Sequence, residues 1–113
     1  MYADSELLRQ QRAFLFEVEQ AIRAANREII HTRLPTIDRN AVYTLAVTVA
    51  QFRAAYLEAA FKLNASGGSD PEPALIADLK AKRETFEEAR SAFAALQRAI
   101  EVGYVDVKQV QGG

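Results

Sequence analysis

The chain has 113 residues, with no cysteine, no tryptophan, five glycines and three prolines. At 12.5 kDa it is long enough for one modest core and too short for two domains, and the missing cysteines exclude a disulfide scaffold, a thiolate zinc site and a cysteine nucleophile. Fourteen basic residues against fifteen acidic ones give a formal charge of -1, which lacks the basic footprint of a nucleic-acid binder.

The opening Met1-Tyr2-Ala3-Asp4-Ser5-Glu6 is acidic, without the basic region and apolar run of a signal peptide. The longest uncharged stretch, Asn40 to Phe52, is too short to cross a bilayer. Asn64-Ala65-Ser66 has the form of a glycosylation acceptor but stands without a secretory signal. These features predict a cytoplasmic protein that engages neither membrane nor nucleic acid.

Turn-forming residues gather at three places: Pro35; then Gly67, Gly68, Pro71 and Pro73; then Gly103, Gly112 and Gly113. The breaker-free segments between them predict helices over about 4–34, 36–65 and 70–102, followed by a short extended tail over 103–113. In the first helix Leu8, Leu15, Val18, Ile22, Ala25 and Ile29 share one stripe, with Gln11 as its polar intruder. Phe14, Leu15 and Phe16 are consecutive and cannot all face one core. Phe16 points away from the stripe and is a candidate interface residue.

The end of this helix holds the residues closest to chemistry. His31 is the sole histidine and follows Glu28 by three residues, the Glu-x-x-His spacing from which di-iron carboxylate bundles are made. With one histidine per chain, a ferritin-like metal-binding protein or oxidase built on Glu28 and His31 requires a symmetric dimer to complete its site. Against it, Glu28 lies at a flank of the apolar stripe and His31 on the far side, in a last turn where a cationic histidine suits the helix dipole. A phosphorelay histidine would carry a lysine and a glycine after it, whereas Thr32, Arg33, Leu34 and Pro35 follow here. Arg23, Arg27, Arg33 and Arg39 gather at the same pole as the second helix's N-terminus, a candidate patch for a phosphate or carboxylate.

Thr36 is the expected cap of the second helix, because the residue before Pro35 avoids helical geometry. This helix carries two stripes. Val42, Leu45, Val49, Phe52, Tyr56, Ala59 and Leu63 make one; Tyr43, Val47, Ala50, Ala54, Leu57 and Phe61 make the other. A surface helix shows an apolar arc a little over 100° wide, and two stripes exceed it. Either the helix touches two neighbours in a three-helix bundle, or the second stripe is an interface to another subunit.

For the third helix Asp70 before Pro71 is the expected cap. Its stripe is Leu75, Leu79, Phe86, Ala89, Phe93, Leu96 and Ile100 around Lys82. The dense run Lys80, Lys82, Arg83, Glu84, Glu87, Glu88 and Arg90 reads as a solvated face, with Lys80–Glu84, Arg83–Glu87 and Asp78–Lys82 spaced as helical ion pairs. Gly103 is expected to end the helix in the left-handed conformation, with Tyr104 beside it. Residues 104–110 alternate like a strand, without a strand elsewhere in the chain to pair with.

A 3.5-residue repeat sustained in three segments predicts an all-α, elongated antiparallel three-helix bundle. No nucleophile turn, phosphate loop or carboxylate pair in a shaped pocket is present, so no catalytic residue or cofactor is assigned. The expected function is a non-catalytic helical protein-interaction or assembly module: an adaptor, small regulator or subunit that self-associates through the second helix. A metal protein completed across a dimer and a secretion or flagellar-type chaperone are the alternatives.

Overall fold

The computed structural model describes residues 2–66 and 70–109. The Gly67-Gly68 connection, Ser69, Met1 and the Val110 to Gly113 end lie outside the described residues. The protein is all-α: α1 spans Tyr2–Arg33, α2 spans Arg39–Lys62 with a single 3-10 turn Leu63–Ser66 after it, and α3 spans Pro73–Glu101. There is no strand among the described residues, and no described helix is long and apolar enough to cross a membrane.

Local chemistry sets the ends. Asp38, not Thr36, caps α2: its Oδ1 accepts from the Ala41 N–H at 2.8 Å. The cap moves because the tail pairs with the α1–α2 linker. The Lys108 N–H donates to the Ile37 carbonyl at 2.8 Å, and the Arg39 N–H donates to the Lys108 carbonyl at 3.2 Å. Asp38 is thereby extended at φ -116° and ψ 174°, and the helix starts only after it. The tail segment without an expected partner thus finds one in the linker, through a parallel bridge between Asp38 and Lys108.

At α3 the cap position is Glu72, not Asp70, and its side chain makes no capping bond. Two prolines explain the shift. Each disfavours helical geometry in the residue before it, and Pro73 fits the first helical position, where no N–H is needed. Glu72 accordingly sits at φ -61° and ψ 142°. At the other end Gly103 has φ +82°. The Gly103 N–H reaches the Ile100 carbonyl at 3.1 Å and the Tyr104 N–H reaches Ala99 at 2.8 Å, the paired bonds of a Schellman motif.

α2 and α3 form an antiparallel hairpin, Leu45 lying near Leu96 at one end and Tyr56 near Leu79 toward the other. Every residue of their facing stripes is buried or half-buried, from Val42 to Leu63 and from Leu75 to Ile100. Val49, Ala59 and Phe86 are buried, joined by Val105 of the tail. The Tyr56 and Phe86 rings stack with centroids 5.9 Å apart, while the guanidinium groups of Arg53 and Arg90 lie over Phe86 at 5.1 and 5.7 Å. Lys80–Glu84 and Asp78–Lys82 form the expected surface pairs at 3.9 and 3.6 Å; Glu87 pairs with Arg90 instead of Arg83.

α1 does not lie along this hairpin, so the side-by-side packing of all three helices is not formed within one chain. The radius of gyration is 22.7 Å and the extents are 73 × 53 × 20 Å, against about 13 Å for the radius of a compact chain of this length. Helical geometry supplies a reason. At roughly 100° per residue, the second stripe of α2 is centred about 150° around from the stripe that meets α3. A helix laid on that second stripe stands behind α2, beyond reach of α3, so the two stripes do not describe one three-helix core.

Candidate interaction surface

Two apolar seams emerge from this arrangement without a partner. On α1, Leu15, Ile22 and Ile29 are 57%, 48% and 56% exposed, and Leu8 and Phe14 are exposed beside them. On α2, Tyr43, Val47, Leu57 and Phe61 are exposed, Phe61 at 71%, and Ala50 and Ala54 between them are exposed as well. Phe16, on the other flank of α1, is likewise exposed. The chain as a whole exposes 9042 Å², where a folded monomer of this mass exposes about 6,200 Å².

α1 still has the local features of a stable rod. Asp4 stands in its first turn and His31 and Arg33 in its last, both favourable to the dipole, and Glu6 pairs with Arg9 at 3.7 Å. Helices in proteins nonetheless draw most of their stability from packing an amphipathic face. In α1 only Val18, Asn26 and Ile30 are even half-buried among residues 4–33.

The elbow between arm and hairpin is held by the tail. Arg27 makes a two-pronged contact with Asp106, at 3.2 and 2.7 Å, and Nη1 also donates to the Gly103 carbonyl at 2.5 Å. The hydrogen bond and charge of Arg27 hold the Asp106 carboxyl below the usual carboxylate range, with a smaller contribution from His31. The same bond raises the Arg27 guanidinium. Arg39 donates to Gln109 Oε1 at 3.1 Å and to the Tyr43 hydroxyl at 3.0 Å, and lies over the Tyr43 ring. Leu34 and Ile37 meet Val42, Leu45 and Leu96 around an apolar notch of about 280 Å³.

The arginines grouped by sequence therefore meet at the elbow, but two of them are occupied there. Arg27 and Arg39 direct their donors to the tail, and Arg23 points its guanidinium toward Gly103. Arg33 is exposed. Glu28 and His31 line an elbow cleft of about 480 Å³ together with Asp106 and Lys108. No group of three or more His, Asp or Glu side chains able to hold a metal ion occurs among the described residues. The role of the tail as a strap was not legible in sequence; the one signal for it was the strand-like alternation after Gly103.

Comparison with protein-family models gives no match, and neither the curated proteins nor the solved structures yield one.

Proposed function

We propose that the protein is a non-catalytic helical assembly module that self-associates through the exposed face of α2. The observation that carries this reading is the pair of regular apolar seams left exposed on α1 and α2, in a chain whose surface exceeds that of a folded monomer of the same mass by roughly 2,800 Å². Monomeric proteins rarely leave contiguous apolar patches beyond a few hundred Å² in contact with water. The seam on α2 repeats at alternating steps of four and three residues from Tyr43 to Phe61, the spacing by which helices pack against helices. The elbow offers no competing chemistry of equal weight, since its arginines serve the tail.

Sedimentation equilibrium at tens of micromolar tests the reading. A dimer or larger assembly is expected, converted toward monomer by Val47→Asp. A strict monomer across that range contradicts self-association.

A further inference from the structure

Resting on that self-association, we infer that the exposed face of α2 is covered by α1 of a second copy of this chain, the two copies exchanging their first helices reciprocally. The α1 seam from Leu8 to Ile29 spans about 32 Å and the α2 seam from Tyr43 to Phe61 about 27 Å, so α1 is long enough to cover the whole α2 face. Neither seam carries a charged residue, and Gln11 is the sole side chain on the α1 seam with an amide.

Their size profiles are complementary. α2 is bulky at its ends, with Tyr43 and Phe61, and hollow in the middle, with Ala50 and Ala54. α1 carries Leu15, Val18 and Ile22 in the middle and Ile29 at the end that meets Tyr43 or Phe61, so the match is at the centre of the face. Whichever way the helices run, Val18 and Ile22 fall opposite the two alanines, so that large faces small as dense packing requires. An α2 face laid on another α2 face sets alanine against alanine between pairs of aromatic rings, and leaves a void. Pairing α1 with α1 leaves the α2 face uncovered.

The chain's own α1 is not the occupant. The tail joins the last turns of α1 through Arg27 and Asp106 and pairs with the linker at Ile37 and Arg39, and α1 makes no extended packing with α2 or α3. The five-residue linker, Leu34 to Asp38, has its backbone paired to the tail at Ile37, and Arg39 just after it pairs with the tail as well. Exchange of an identical element on a two-fold axis satisfies both seams of both copies. The chain exposes roughly 2,800 Å² more than a folded monomer of its mass, and a permanent dimer buries approximately 1,000–2,500 Å² per partner, so burial on that scale would bring the exposed surface back toward the folded norm.

The chain has no cysteine, so cross-linking reads the arrangement directly. Two single-cysteine proteins, Ile22→Cys and a size-tagged Ala50→Cys, are unfolded together, refolded and treated with a short bismaleimide, which reads antiparallel helices; Val18→Cys with Ala50→Cys is the second pair and reads parallel ones. The expected product is the mixed covalent dimer, at least several-fold over either self-linked dimer. Predominant self-linked dimers, or no link in either pair while sedimentation still shows a dimer, overturn the exchange and leave self-association standing. A chain carrying both cysteines that closes within itself overturns the exchange too. Loss of the dimer in sedimentation of the parent protein contradicts the underlying reading itself.

Discussion

The α2–α3 hairpin and the α1 arm carry the same kind of heptad repeat, yet one has its apolar face covered and the other does not. In the hairpin the stripes from Val42 to Leu63 and from Leu75 to Ile100 meet each other, and Phe86 is buried against Tyr56 between two arginines. In the arm Leu15, Ile22 and Ile29 are half in water. Periodicity states that a face needs a partner; it does not state that the partner belongs to the same chain. The charged surface pairs decide nothing between the two regions, since exposed ion pairs contribute about 0–1 kcal/mol each.

The difference is sharpest under truncation of a large side chain. Phe86→Ala should lower stability by about 3 kcal/mol, by a similar amount at every protein concentration, as read by denaturant titration. Ile22→Ser should behave otherwise: the unfolding midpoint falls where the protein is associated and scarcely moves where it is monomeric. Equal concentration dependence for the two variants would erase the distinction between hairpin and arm.

Next in size is the junction. Gly103→Val should cost about 1 kcal/mol, because a branched residue is penalised in the left-handed region. A Cβ there would meet only the Arg23 guanidinium at 3.9 Å, an ordinary contact, so the penalty is conformational and Gly103→Asn should recover part of it. Thermal unfolding of the two variants checks the order.

The smallest effect belongs to the strap. Asp106 has its pKa lowered by Arg27, so its contribution is complete above the ordinary carboxylate range and disappears as the pH falls through its depressed value. Acid titration followed by the NMR signals of the Tyr104 and Asp106 amides should show the tail loosening at that acidic end, and Asp106→Asn should remove the transition.

Much of the fold was legible because it depends on local rules. Three runs without glycine or proline gave three helices, the heptads named the residues that α2 and α3 bury, and Gly103 announced its own positive φ. The caps at Asp38 and Glu72 were displaced from Thr36 and Asp70 by a tail that pairs across 70 residues of sequence and by a second proline. The tail pairing leaves no mark in a capping motif, whereas Asp38 is an ordinary capping residue and Pro73 an ordinary first helical residue. The exposed seam of α2 was readable as a second stripe, but its separation by about 150° from the first decides against a closed bundle, and that follows only once α3 is placed. The metal pair Glu28 and His31 had spacing without companions; the acidic neighbour that structure brings to its cleft, Asp106, is already held by Arg27.

Hydrogen exchange of the α1 backbone as a function of protein concentration tests the central claim most directly. If a second copy covers the arm, protection from Leu8 to Ile29 rises with concentration, while protection at the centre of the hairpin, around Val49 and Phe86, changes less. Protection of α1 that is the same at nanomolar and at tens of micromolar protein, whether high or low, would contradict the account.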